Sequence, residues 1–152
     1  MRTCCDTYRE KLGGDREYYT YSGHVVSENG KIFRLTSPRT AFCKIKIDGG
    51  LFPNSQPPRK CDWVFVLCDT GQIYFVELKG SSVPLDDACT QIRQTVDFFR
   101  RAIPDLRSVN MYAAIVGGRM PGQTARWRKK QEEFRGIHVT LERKDPIYEL
   151  II

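Results

Sequence analysis

Two short stretches in the middle of the chain constrain its fold more than any other feature. Residues 63–68, WVFVLC, are a continuous apolar run. Residues 72–79, QIYFVELK, are β-prone and end on charged residues. Only Asp69-Thr70-Gly71 separates them, and those are turn residues. Runs this short and this close pair as an antiparallel hairpin. An apolar hairpin needs cover on both faces, so it belongs at the centre of the fold.

The flanking segments supply that cover. Residues 41–48, AFCKIKID, alternate: Cys43, Ile45 and Ile47 point one way, Lys44, Lys46 and Asp48 the other. The loop LFPNSQPPRK follows, where Pro53, Pro57 and Pro58 block regular structure. Gly80 to Pro84 reads as a turn. Residues 85–103 have helical spacing, with Leu85, Ala88, Ile92, Val96, Phe99 and Ile103 on one face. Asp86 and Asp87 suit the first turn of that helix, and Pro104 stops it. Residues 109–116 read as a buried strand ended by Gly117-Gly118, residues 123–135 as a helix stopped by Gly136, and 137–142 as a last strand. Upstream, 6–19 hold a short helix interrupted at Gly13-Gly14. Residues 21–36 form a weak hairpin turning at Glu28-Asn29-Gly30 and closed by Pro38. The order strand, strand, strand, helix, strand, helix, strand predicts an α/β domain, a central mixed sheet flanked by helices. A chain of 152 residues is one domain, 1–152, able to bury a core without disulfides or a structural metal.

The 24 Lys and Arg exceed the 18 Asp and Glu, for a net charge of +6, which makes nucleic acid a candidate partner. Hydrophobic residues at 41% and charged residues at 28% exclude a dominantly disordered chain. No apolar stretch approaches the roughly 20 residues that span a membrane. The first ten residues are polar and lack an apolar signal segment, so a cytoplasmic protein is expected. The six cysteines are then expected to be mostly reduced thiols. Cys4 and Cys5 are adjacent and no C-x-x-C occurs, while Cys43, Cys61, Cys68 and Cys89 read as buried small hydrophobes. His24 and His138 are far apart. A redox or zinc protein using the cysteines is a third, weaker reading, which thiol titration and metal analysis test.

The chemistry lies at the open end of the hairpin. A turn centred on Thr70-Gly71 makes Cys68 face Ile73, Val64 face Glu77 and Asp62 face Lys79. Asp62, Val64, Glu77 and Lys79 then share one face; Phe65, Leu67, Tyr74, Val76 and Leu78 cover the other. Val64, Val66 and Phe75 partly bury the charged face. Charges in such a place need each other or a cation. Two carboxylates suit Mg²⁺ or Mn²⁺, and Lys79 can position water or neutralise charge on a phosphate. Alone, Glu-x-Lys reads as an ion pair at a strand end and Asp62 as a turn cap. The apolar runs on both sides favour the cation site. Asp48 reads as a turn residue, with a supporting acid as the alternative.

Asp62 followed by Glu77-Leu78-Lys79 resembles the PD-(D/E)XK nuclease superfamily. In that family the first acid starts a core strand, E-x-K sits on the neighbouring strand, and a helix follows. Here Asp62 precedes WVFVLC, Glu77 and Lys79 end IYFVELKG, and a helix begins near Leu85. The resemblance covers about residues 41–116. It implies a restriction-endonuclease-like fold and a metal-dependent nuclease, with DNA the expected substrate and Mg²⁺ or Mn²⁺ on Asp62 and Glu77. Gln91 matches a glutamine that some branches place against the site. Cys61 stands where proline is common, a position at which the family varies. An extra acid from the first helix is common in the family, and Glu10 and Glu17 are both candidates. Small nucleases of this kind are often homodimers.

Gly117-Gly118-Arg119-Met120-Pro121-Gly122 leads into Arg126, Trp127, Arg128, Lys129 and Lys130. A glycine loop before a helix can bind phosphate, and Arg119, Arg126, Arg128, Lys129 and Lys130 can follow a nucleic-acid backbone. The plainer reading is a solvated helix face with Trp127 in the core. Against the nuclease stands a non-catalytic module on the same scaffold, binding nucleic acid or protein within a larger complex.

Overall fold

The computed structural model describes residues 3–36, 41–53, 59–119 and 124–152. In chain order the elements are α1 (Cys4–Leu12), a 3₁₀ segment (Arg16–Tyr18), β1 (Tyr19–Thr20), β2 (Val25–Glu28), β3 (Lys31–Thr36), β4 (Phe42–Lys46) and β5 (Trp63–Leu67). They continue with β6 (Gln72–Pro84), α2 (Leu85–Ala102), a second 3₁₀ segment (Pro104–Ser108), β7 (Met111–Arg119), α3 (Thr124–Arg135), β8 (Val139–Lys144) and β9 (Ile147–Ile151).

Six strands form a mixed sheet in the order β1-β4-β5-β6-β7-β8. Pairing is antiparallel from β1 to β6 and parallel from β6 to β8. Parallel neighbours need crossovers, and α2 and α3 supply them. On one face Val64, Val66, Ile73 and Phe75 pack with Ala88, Ile92, Val96 and Phe99 of α2 and with Phe134 of α3. On the other, Phe65, Leu67, Tyr74, Val76 and Leu78 pack with Phe33, Leu35 and Tyr148 of a second sheet, ordered β2-β3-β9. The central hairpin is therefore buried between helices and a sheet. Its two apolar faces are the ones that strand alternation assigned.

The mixed α/β architecture expected from the sequence is present, with four differences. The strand over 137–142 was expected to be the last, but β9 follows it and pairs in parallel with β3, Ile32 opposite Ile147. Residues 80–84 were expected as a turn but continue β6, whose pairing with β7 is irregular between Lys79 and Pro84. Gly117 and Gly118 were expected to end a strand but lie inside β7 with φ of +88° and +76°. A Cβ on Gly117 would collide with the Lys79 carbonyl, so this glycine permits close approach of β7 to β6.

The fourth difference concerns the cysteines. Cys4 is bonded to Cys68 and Cys5 to Cys43, with Cα separations of 5.8 and 5.3 Å. This corrects the expectation of reduced thiols at these positions. Cys43 lies opposite Val66, and the Cys68 amide donates to the Ala41 carbonyl, so both cysteines share the helix-side face on neighbouring strands. The first turn of α1, capped by Thr3, sets the adjacent Cys4 and Cys5 over them. Cys61 and Cys89 are free and buried, as expected. Pro38, Pro57 and Pro58 lie outside the described residues. No described helix is long and apolar enough to cross a membrane.

Candidate active site

The register of the hairpin differs by two residues from the one expected. Trp63 pairs with Val76 and Val64 with Phe75, so the next step outward sets Asp62 opposite Glu77 rather than Lys79. The expected pairs Val64–Glu77 and Asp62–Lys79 are therefore corrected. Gly71 at φ +76° and its amide bond to the Leu67 carbonyl place the turn one residue earlier than assumed. A slip of two residues conserves faces, so Asp62, Glu77 and Lys79 still emerge on the same side.

Asp62 is fixed at both ends. Its carboxylate accepts from the Leu78 amide at 2.8 Å, and its carbonyl accepts from the Ile47 amide at 3.0 Å. Glu77 is 1% exposed, and neither of its oxygens has a hydrogen-bond partner among the described residues. The Lys79 ammonium stands 3.3 Å from Glu77 Oε2. Burial pushes the Glu77 carboxyl well above the usual range; the neighbouring Asp62 adds to the rise and Lys79 opposes it. A buried acid held this way is costly to ionise without a second positive charge.

Gln91 of α2 is buried, and its amide nitrogen donates to the Lys60 carbonyl at 3.3 Å. Thr95, one turn on, accepts from the Cys61 amide at 2.8 Å. These bonds pin the segment that leads into Asp62, a role for α2 that the sequence reading did not foresee. Gln91 Oε1 also lacks a hydrogen-bond partner among the described residues.

A cavity of about 300 Å³ opens beside Asp62, lined by Ser27, Glu28, Lys46, Asp48, Gly49, Asp62 and Trp63. Asp48 does occupy a tight turn, Gly49 at φ +78° with its amide bonded to the Phe52 carbonyl, and it also lines this cavity. Arg59 stands 3.7 Å from it. Burial and Asp62 push the Asp48 carboxyl up; Arg59 and Lys79 pull it down. Glu28 behaves alike: burial, Asp62 and Asp48 raise it, Lys79 and Lys46 lower it. The sequence signals turn propensity at Glu28, not proximity to Asp62. Glu10 and Glu17 are exposed and absent from this lining, and α1 is tethered at Cys43 and Cys68. Five residues of strand, six steps along the chain, separate Cys68 from Asp62, roughly 20 Å.

The basic segment is less available than its sequence implied. Arg126 reaches Asp86 Oδ2 at 2.6 Å, and Lys130 stands 3.9 Å from Asp86 and 3.8 Å from Glu133. Arg119, Arg128 and Lys129 are exposed, and Trp127 packs partly buried against the core. Met120, Pro121 and Gly122 lie outside the described residues.

The residues suit a hard divalent cation in part. Asp62 and Glu77 are oxygen donors; Glu77 Oε2 faces the Lys79 ammonium, and Oε1, without a hydrogen-bond partner among the described residues, is what such an ion would satisfy. Among the described residues, no three His, Cys, Asp or Glu side chains converge into a complete cage. Mg²⁺ keeps several of its waters, so two carboxylates and water suffice for it. No protein-family model, curated protein or solved structure matches this chain.

Proposed function

We propose that this chain is a divalent-cation-dependent nuclease with a restriction-endonuclease-like, PD-(D/E)XK core, hydrolysing phosphodiester bonds in DNA. The observation that carries this reading is Glu77: a buried carboxylate with no hydrogen bond to its oxygens among the described residues, Asp62 beside it and the Lys79 ammonium 3.3 Å from Oε2. Asp62 and Glu77 would hold Mg²⁺ or Mn²⁺, which when bound supplies an acidified water and charge neutralisation at the phosphate. Lys79 orients the attacking water and offsets the charge that develops on the phosphoryl oxygens. The Leu78 amide keeps the Asp62 carboxylate aimed, and Gln91 and Thr95 hold the backbone before it. Phosphorus gains a bond to the water oxygen and loses its bond to the sugar oxygen. The water's proton passes to solvent, and the leaving oxygen takes a proton in turn. Lys46 at the cavity and Arg59 beside Asp48, with Arg119, Arg128 and Lys129, supply cations for the backbone. Cutting both strands of a duplex takes two such sites, which a homodimer provides.

The test is cleavage of circular, linear, single-stranded and branched DNA, and of RNA, by wild type and Lys79→Ala. Each substrate is assayed with Mg²⁺, with Mn²⁺ and with chelator. Cutting that needs the cation and is lost in the variant is the expected result. A folded wild type that cuts nothing favours the second reading, a non-catalytic binding module. The lack of a three-acid cage among the described residues is the observation on that side.

A further inference from the structure

The helix α1 is joined to the sheet more by covalent bonds than by packing. It has nine residues, too few to hold a helix in water unaided. Its one buried residue is Cys5; Tyr8 and Leu12 pack only partly buried against the core. A cavity of about 230 Å³ opens between Asp6 and Arg9 of α1 and Arg16, Tyr19 and Tyr21 of the next segment, so the helix stands off from the edge of the sheet there. What fastens it is the pair of bridges in its first turn, Cys4 to Cys68 and Cys5 to Cys43.

The other end of α1 runs into Gly13 and Gly14, at φ of +80° and +84°, a backbone region that glycine enters without strain. The Tyr19 hydroxyl donates to the Gly13 carbonyl, and Gly14 lies against Leu51, so this joint is itself fixed to the body of the protein. A helix bonded at one end and jointed at the other by two glycines is a strap. Its two bonds differ in access. Cys4 and Cys68 are partly exposed, whereas Cys5 and Cys43 are buried. Thiol–disulfide exchange requires a thiolate to reach a sulfur. The outer bridge is therefore open to a reductant in the folded protein, and the inner one becomes so once Cys4 is free to move.

We propose that α1 is a redox-released strap, opened by a dithiol reductant at Cys4–Cys68 first and at Cys5–Cys43 second. At each bridge a thiolate of the dithiol attacks one cysteine sulfur and expels the other cysteine as a thiolate. The second thiol of the reductant then displaces the attacked cysteine and closes the reductant into its own disulfide. Two electrons and two protons pass from the dithiol to the two cysteines. With both bridges open, α1 leaves the sheet by turning at Gly13-Gly14, and the cavity it walls is lost. The central sheet stays folded, because α2, α3 and the second sheet still cover its faces. Asp62, Glu77 and Lys79 take no part, so the strap stands apart from the nuclease reading.

The test treats air-oxidised protein with dithiothreitol and traps thiols with a maleimide over time, the labelled cysteines being mapped by mass spectrometry. Brief trypsin digestion after Arg9 and Lys11 reports on α1, and hydrogen exchange at β5 reports on the core. Cys4 and Cys68 should label first, and Cys5 and Cys43 after them. Cutting after Arg9 and Lys11 should rise at least about tenfold, and only as the inner bridge opens, with the β5 amides still protected. The variant Cys4→Ser with Cys68→Ser should keep α1 uncut when oxidised and release it when reduced. Six thiols in the air-oxidised protein would overturn the proposal, as would a reduced α1 that trypsin cuts no faster. Loss of β5 protection in step with α1 would show that the bridges hold the whole fold, and would overturn the strap. Labelling of Cys5 and Cys43 before or together with the outer pair would overturn the order of opening.

Discussion

At the turn end of the β5–β6 hairpin, Cys68 is bonded to Cys4, and one strand over Cys43 is bonded to Cys5. At the open end, Asp62, Glu77 and Lys79 crowd together with the Glu77 oxygens lacking hydrogen bonds. The strands between the two ends are buried on both faces, apart from the partly buried Trp63 and Gln72. One end gains stability by closing loops; the other holds charges that a folded core does not favour. Such a division is expected where a fold must carry a functional group that its own stability would exclude.

The largest effect should come from the open end. Ala at Asp62, Glu77 or Lys79 should each lower the cleavage rate by at least about 10²–10³-fold, while circular dichroism and melting stay close to wild type. A folded, fully active Glu77→Ala protein would break the comparison, since the buried acid would then have no use.

The turn end should respond in stability instead. The two bridges close loops of 64 and 38 residues. By chain entropy each contributes about 4 kcal/mol, and the measured loss on removing a native bridge is typically 2–5 kcal/mol. Cys4→Ser with Cys5→Ser should therefore shift denaturant unfolding strongly, and cleavage should persist wherever the protein remains folded. Gly117→Ala comes next, at about 1–3 kcal/mol, because its φ is +88° and the new Cβ meets the Lys79 carbonyl. It should lower kcat as well, by moving Lys79.

The thiols give a chemical check on the same division. Burial pushes the Cys89 thiol up to about 11, and burial also raises Cys61. The thiolate is the reactive form, so both should be silent to alkylation in native protein at pH 8, with Cys89 reacting faster as pH rises toward 11. Unfolding without reductant should expose two thiols, and unfolding with reductant six. Smallest of all, Arg128→Ala or Lys129→Ala should weaken DNA binding uniformly across sequences and reduce the salt slope by about one each.

Several elements were readable in advance. The apolar run at 63–68, the alternation at 41–48 and the helical face from Leu85 to Phe99 each carry a periodicity that local geometry enforces. All three lie within a few residues of the expected bounds. Asp62, Glu77 and Lys79 could be set on one face because side-chain direction along a strand depends only on parity. Their pairing was off by two, because register depends on the turn and not on the face. Glu28 carries no local sign of its place, and the partners of Cys4 and Cys5 cannot be chosen from spacing.

The sequence by itself determined a buried hairpin, its two apolar faces and the charged residues at its open end, since strand and helix periods act over a few residues. Only the tertiary structure decided that β9 pairs with β3, that the bridges gather at the turn end, and that a hairpin from the second sheet brings Glu28 beside Asp62. Those contacts join residues far apart in the chain, where the energy of packing and not local propensity makes the choice.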